Sequence, residues 1–274
     1  MPREVTAFSN PLVKRARALR DKKHRQREGL FLAEGLRILA EAQETGRLPA
    51  TLFFATGARH GLLDRLIAAT EAADGEAVET SPAILAKISG KDNPQTAVGL
   101  FETWPLGLDR LDRTAAGHWF AAQALRDPGN LGTMLRTGDA TGAGGLILVD
   151  ECADPFSPEA VRASMGAIFT QALAAAPWDG FLSWLRSGPG ELVATSLEAD
   201  EHYRAPRYRR PAFILVGNEA RGLPPAYEAA CDRRVKIPML GKADSLNAAV
   251  AAAVIAYEIV DQREPSDSRR DDAA

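Results

Sequence analysis

Cysteine is scarce in this chain: Cys152 and Cys231 are its two copies among 274 residues, and they stand far apart. That spacing gives neither a disulfide framework nor a thiolate metal site, and ordinary packing is the reading it leaves. The four histidines, His24, His60, His118 and His202, are scattered, so no metal centre is expected. Long hydrophobic runs are also missing. No stretch approaches the roughly 18 apolar residues of a membrane span, and the Ala-rich segment near the end carries Asn247, Tyr257 and Glu258. The opening segment, MPREVTAFSNPLVKRARALR, has no apolar signal core, which points to the cytoplasm. Gly138, Gly142, Gly144 and Gly145 do not make the Gly-x-Gly-x-x-Gly spacing, and no Gly-Lys-Ser or Gly-Lys-Thr occurs, so nicotinamide and ATP sites lack their usual signature.

What is present describes an ordinary globular chain, with 46% apolar and 25% charged residues and a length comfortable for two domains. Net charge is only -3, yet the charge is unevenly placed. Residues 1–28 hold nine Lys or Arg against three acids, with Lys14, Arg15, Arg17, Arg20, Lys22, Lys23 and Arg25 close together. A second basic knot, residues 202–210, interleaves Tyr203 and Tyr208 with Arg204, Arg207, Arg209 and Arg210. Each patch suits either phosphates and stacked bases or a solvated face; two of them in a chain balanced elsewhere by acids favour RNA.

In chain order, Asn10 and Pro11 start a basic helix over residues 10–20. Residues 29–35 predict a strand closing on a turn, followed by helices at 36–45, 62–71 and 82–88 and strands at 52–55, 76–80 and 97–102. This alternation predicts a small α/β sandwich over residues 1–104. Residues 105–117 look like a linker. Strands are predicted at 119–125, 146–149, 169–174, 192–195, 213–216 and 235–238, and helices at 131–141, 158–165 and 181–186, with a final helix to about residue 260. Such βα repeats mean a mostly parallel sheet covered on both faces, here over residues 118–262. Residues 263–274 predict a disordered tail.

Three polar loops follow buried strands, the place where α/β proteins hold ligands. Asp127-Pro128-Gly129-Asn130 is turn chemistry, with Asn130 a natural cap for a helix carrying Arg136. Gly217-Asn218-Glu219-Ala220-Arg221-Gly222 breaks off the run Phe213 to Val216. Ser245-Leu246-Asn247 opens the last helix, with Ser245 or Asp244 able to cap it.

Taken together, Asn130 with Arg136, Gly217-Asn218-Glu219 with Gly222, and Ser245-Leu246-Asn247 resemble the three motifs of the SpoU or TrmH family of RNA ribose 2'-O-methyltransferases, in the SPOUT superfamily. Residues 157–167, SPEAVRASMGA, are similar to the family's middle segment, and residues 29–42, GLFLAEGLRILAEA, to the ribosomal-protein-like RNA-binding domain that precedes many members. The resemblance implies a knotted α/β catalytic domain acting as a homodimer through that domain, with S-adenosylmethionine as cofactor and RNA as partner. It implies that the cofactor lies on Thr195, Ser196 and Leu197; Gly217, Asn218 and Glu219; and Ile237, Met239, Ser245, Leu246 and Asn247. For catalysis it implies Arg136 at the ribose hydroxyl with Asn130 beside it, Glu219 orienting Arg136 or the ribose, and Ser245 and Asn247 holding the geometry. An arginine is a poor proton acceptor, so Arg136 is better suited to stabilising an alkoxide or a phosphate. One departure is Ala220, where members commonly have glycine.

The resulting expectation is a SAM-dependent methyltransferase acting on a ribose of structured RNA, with large-subunit rRNA ahead of tRNA. A silent RNA-binding or ribosome-assembly factor of the same fold is the alternative from another class. A nucleotide-dependent dehydrogenase is a third, weakened by the missing glycine fingerprint.

Overall fold

The computed structural model describes residues 2–262, so the tail expected at 263–274 lies outside them. Among the described residues two compact units are present: one holds residues 2–105 with Leu131–Arg136 and Ala153–Thr170, the other Leu106–Asn130, Thr137–Cys152 and residues 171–262. Two stretches expected to belong to the second domain are thus part of the first unit.

The first unit begins with β1 (Arg3–Val5), α1 (Pro11–Ala18), α2 (Lys22–Glu28), β2 (Leu30–Glu34), α3 (Leu36–Glu44) and β3 (Thr51–Ala55). α4 (Gly61–Ala72), β4 (Glu76–Thr80), α5 (Pro82–Ser89) and β5 (Ala97–Glu102) follow. Its sheet runs β1-β4-β3-β5-β2, parallel through β1, β4 and β3 and antiparallel where β5 meets β3 and β2. Asn10 caps α1 as its sequence foretold, accepting the Leu12 amide at 2.9 Å, and Pro11 takes the first helical position where its missing N–H is harmless. Helical spacing then buries Val13 and Ala16 against Ile84, Leu85 and Ile88 of α5 while Lys14, Arg15 and Arg17 stay exposed. β1 and α2 have no counterpart in the expected elements.

The remaining elements are β6 (His118–Gln123), α6 (Pro128–Thr141), β7 (Gly145–Val149), α7 (Pro158–Ala163), α8 (Ala167–Thr170), β8 (Ala172–Ala176) and α9 (Trp178–Arg186). β9 (Glu191–Thr195), β10 (Glu201–His202), β11 (Ala212–Val216), α10 (Pro225–Ala229), β12 (Arg233–Lys236) and α11 (Ala248–Asp261) complete them. A seven-stranded sheet of order β10-β12-β9-β11-β6-β7-β8 is parallel at every pairing. β6, β7 and β11 are buried along their whole length, as the apolar runs required. Trp119 lies flat on Phe213 at 6.2 Å within this core.

Three expectations are corrected. Residues 169–174 are not one strand: Met165 and Gly166 turn with positive φ after α7, the Ser164 hydroxyl accepts the Ile168 amide, and a short helix forms before β8 begins at Ala172. Residues 105–117 are packed: Leu108 and Leu111 join the core, and Arg113 donates to the Leu185 carbonyl at 2.9 Å. Arg25 is not part of a basic surface. It is 4% exposed, and its guanidinium donates to Asp154 at 3.0 and 2.6 Å and to the carbonyls of Leu19 and Arg20. A guanidinium so enclosed needs these acceptors, because an unpaired buried charge is strongly unfavourable.

Gly132 explains a close approach inside the first unit. A Cβ there would sit 2.4 Å from the Ala160 carbonyl oxygen and 2.6 Å from Ala163 Cβ, so α6 meets α7 through bare backbone.

Removing one partner of the buried pair leaves the other uncompensated. Arg25→Ala is expected to lower unfolding stability by about 3–5 kcal/mol in urea titrations. The exposed Arg17→Ala is expected to change it by no more than about 0.5 kcal/mol.

Candidate active site

Because every strand of the second sheet points the same way, their carboxyl ends lie along one edge. Val216 pairs with Ala122, Leu215 with Ala194, and Val235 with Thr195, so the loops after β6, β9, β11 and β12 emerge side by side. Ligand loops belong there in open α/β sheets.

The loop after β11 closes on itself. Asn218 and Gly222 exchange backbone hydrogen bonds at 3.2 and 2.9 Å, and Asn218 Oδ1 accepts the amides of Ala220 and Arg221. A Cβ on Gly217 would lie 2.3 Å from the Gly222 carbonyl carbon, so glycine is demanded by the loop's own closure. The left-handed turn falls on Gly222 (φ +66°), and Ala220 is accommodated without a positive φ. Asn218 Nδ2 reaches across to the Ala124 carbonyl at 2.8 Å and ties this loop to the one after β6.

Glu219 continues the tie. Its carboxylate accepts the amides of Arg126 (3.2 Å) and Asp127 (3.1 Å) and Asn130 Nδ2 (3.2 Å). Asn130 Oδ1 accepts Asn247 Nδ2 at 2.7 Å, and Asn247 Oδ1 accepts the amides of Ala249 and Val250 at 2.9 and 3.3 Å. The donor and acceptor order is dictated chemically: an ionised carboxylate only accepts and helix amides only donate, so each asparagine between them has one possible orientation. Burial pushes the Glu219 carboxyl upward, but the amides of Glu219, Asp127 and Arg126 and the Asn130 side chain outweigh it and hold the pKa below its ordinary 4.5. A carboxyl lowered on folding stabilises above its unfolded pKa and ceases to do so as pH falls through the folded one. This anchor therefore holds at neutral pH and loosens only below the usual carboxylate range.

Two caps differ from expectation. Asp127, not Asn130, caps α6: its Oδ1 accepts the amides of Gly129 and Asn130 at 2.6 and 3.1 Å, and Pro128 takes the first helical position. Asn130 is thereby freed to face Glu219 and Asn247. At α11 the cap is Asn247, not Ser245 or Asp244. Ser245 is exposed two residues earlier and is not a member of the network. Glu219 turns to the loop amides and Asn130 instead of to Arg136, which is exposed further along α6.

The other candidate positions border the same edge. Thr195 and Ser196 are half-buried and Leu197 is exposed after β9, with the Ser196 amide donating to the Val235 carbonyl at 3.0 Å. Ile237 and Met239 are half-buried after β12, and Leu246 is exposed beside the α11 cap. Hydroxyls and apolar side chains on three neighbouring loops can receive a ligand with both a flat ring and a sugar. A cleft of about 1060 Å³ opens alongside, lined by Gln123, Arg126, Asp127, Glu219, Arg221 and Pro224 among others. Arg126, Asp127 and Ala124 were missed from sequence; the Asp-Pro pair was the available signal for the cap.

Of the candidate RNA contacts, Lys14, Arg15, Arg17, Arg20, Lys22 and Lys23 are exposed. Arg15 is paired with Glu28 at 3.0 Å, and Arg20 lies over Gly90. In the second knot Arg204 faces Glu258 at 3.6 Å and Arg209 faces the buried Glu191 at 3.7 Å, while Arg207 and Arg210 are exposed. Among the described residues no group of three His, Cys, Asp or Glu is placed to hold a metal ion, and no helix is long and apolar enough to cross a membrane.

A parallel α/β sheet with its ligand loops pinned together at the carboxyl edge is the architecture of a SPOUT methyltransferase, and solved structures of that class are its neighbours. The chain belongs to the SpoU rRNA methylase family, whose model matches residues 118–257; residues 10–99 match the MRM3-like substrate binding domain. It is 33% identical over 255 residues to the 23S rRNA (uridine(2479)-2'-O)-methyltransferase of Streptomyces viridochromogenes, covering 89% of this chain and 87% of that one. With the 23S rRNA (guanosine(2553)-2'-O)-methyltransferase RlmP of Bacillus subtilis it shares 25% identity over 264 residues, 94% of this chain and 99% of the other. The AdoMet-bound rRNA methyltransferase of Sinorhizobium meliloti superposes with a TM-score of 0.89 at 38% identity, covering 96% of this chain and 98% of its own.

Asn247 has two separable duties, capping α11 and donating to Asn130. Asn247→Asp keeps the cap acceptor and loses the donor, whereas Asn247→Ala loses both and is expected to cost about 1–2 kcal/mol of stability. Hydrogen exchange should show a faster first turn of α11 in Asn247→Ala and a near-native one in Asn247→Asp.

Proposed function

We propose that this protein transfers a methyl group from S-adenosylmethionine to a ribose 2'-hydroxyl of large-subunit rRNA. The observation that carries the reading is the hydrogen-bond chain Glu219–Asn130–Asn247, which joins the three motif loops into one unit. Membership of the SpoU rRNA methylase family supports it, as do relatives that methylate 23S rRNA at a uridine and at a guanosine.

The residues fit the cofactor. Leu197, Ile237, Met239 and Leu246 offer an apolar surface for its adenine, Thr195 and Ser196 offer hydroxyls for its ribose, and Gly217, Asn218, Glu219, Ser245 and Asn247 complete the bordering loops. When bound, the cofactor would supply an electrophilic methyl on its sulfonium, leaving as the neutral thioether while the hydroxyl proton passes to water, and catalysis then rests on placing the hydroxyl in line with the methyl. Glu219 acts as a positioning residue: its oxygens are engaged by four donors and its pKa is lowered, so it is a poor proton acceptor. Asn130 is held at both ends of its amide and presents its remaining N–H and lone pair in a fixed direction. Arg136 offers guanidinium donors that stabilise the developing alkoxide or the adjoining phosphate.

Lys14, Arg17, Arg20, Lys22 and Lys23, with Arg207 and Arg210, are the phosphate contacts we assign; Arg15, Arg204 and Arg209 are partly engaged by their own acids. The protein works in the cytoplasm and pairs as a homodimer through its catalytic domain. Val250 and Tyr257, seven residues apart on one face of α11 and 46% and 55% exposed, suit such an interface.

The test is incorporation of labelled methyl from S-adenosylmethionine into unmodified large-subunit rRNA and total tRNA, followed by mass spectrometry of nuclease digests. A 2'-O-methylated nucleotide from rRNA is expected. Arg136→Ala is expected to lower turnover at least 100-fold, the order lost when an oxyanion-type donor is removed, with cofactor affinity near normal. RNA binding without transfer would instead favour a silent assembly factor.

A further inference from the structure

The cleft beside the motif loops carries two arginines that the assigned cofactor and phosphate contacts do not use. Two acids and two arginines line it: Asp127, Glu219, Arg126 and Arg221. Both acids are committed to backbone donors, Asp127 to the amides of Gly129 and Asn130 and Glu219 to those of Arg126 and Asp127. The arginines are not so committed. Among the described residues Arg126 pairs with a surface carboxylate, Glu151, at 3.2 Å with side chains 58% and 78% exposed, a pair easily exchanged for a phosphate. Arg221 sits at the tip of the loop after β11, exposed, with its amide fixed by Asn218 Oδ1 at 3.2 Å. The backbone under both guanidinium groups is therefore rigid while the groups themselves are available. Asn130, the residue proposed to face the ribose, is one bond from Glu219 on the cleft wall, and Ala124, Leu223, Pro224 and Pro225 give the cleft an apolar side.

We infer that this cleft holds the target nucleotide, with Arg126 and Arg221 gripping the phosphates that flank its ribose and the apolar side receiving its base. The inference rests on the RNA 2'-O-methyltransferase reading and adds to it the residues that seat the substrate. A phosphodiester ligand is favoured over a free carboxylate or a small anion because the two cationic groups stand on separate loops bordering one cleft of about 1060 Å³, room for a nucleoside between them. Guanidinium forks match phosphate geometry, and an extruded nucleotide gives both arginines a partner at once.

The experiment compares the full-length protein with Arg126→Gln, Arg221→Gln, the double variant, and Arg126→Lys with Arg221→Lys. The probe is an unmodified large-subunit rRNA transcript, and both binding and methyl transfer are measured over a salt series. Each glutamine variant is expected to raise the KM for RNA about tenfold and to reduce the slope of log affinity against log salt by about 1, and the double variant by about 2. The lysine pair should recover the slope, because charge is retained, and cofactor affinity by calorimetry should not move. Unchanged slope and KM in the double variant would overturn the inference. So would a parallel loss of cofactor affinity, which would make the arginines part of the site's framework. If the unaltered protein neither binds nor methylates the transcript, the functional reading itself fails, and the two failures are thereby told apart.

Discussion

The chain of side-chain hydrogen bonds from Glu219 through Asn130 to Asn247 is the constraint on which the site depends. Residues 89 and 117 apart in sequence are joined by it. Its ends are fixed by groups that cannot reverse roles: an ionised carboxylate at one end and the first amides of α11 at the other. Direction therefore propagates through two asparagines that would otherwise be free to flip. Each link is modest, about 1 kcal/mol net for a typical hydrogen bond and more where a charge takes part. Geometry is what the series supplies.

The parallel sheet makes this possible. With all strands aligned, side-by-side loops arise from local rules alone, and each loop needs only a short reach to touch the next. Asp127 takes the helix-capping duty at α6, which leaves Asn130 available; Asn247 performs the same duty at α11 and still has its NH2 group to donate. Glu219 brings negative charge to the start of α6, where the helix dipole and the amides of Arg126 and Asp127 welcome it. That explains why the acid of the proposed site is held ionised and serves as an anchor.

Much of this was legible in the sequence. Buried strands such as Phe213 to Val216, the Asn10-Pro11 helix start and the Gly217 loop carry local signals that the tertiary structure respects. Caps were harder, because Asp127 and Asn130, or Ser245 and Asn247, have equal capping chemistry and differ only in what else they must reach. Arg25 shows the limit of charge counting: its neighbours Lys22 and Lys23 are solvated, yet helical periodicity turns Arg25 inward to Asp154, a partner 129 residues away. The division of α6 between the units and the place of residues 153–170 in the first were likewise not local information. It follows from bare backbone at Gly132 and from Phe156 and Phe169 packing on Phe31, contacts that no window of sequence contains.

The most direct measurement is amide hydrogen exchange across the loop after β6 and the first turns of α6 and α11, in the native protein and in Glu219→Ala. If the side-chain chain is one mechanical unit, removing its acidic end speeds exchange at Arg126 and Asp127 and also at Ala249 and Val250, which Glu219 does not touch. Acceleration confined to Arg126 and Asp127, with α11 unchanged, would mean that the links act separately and would contradict the account.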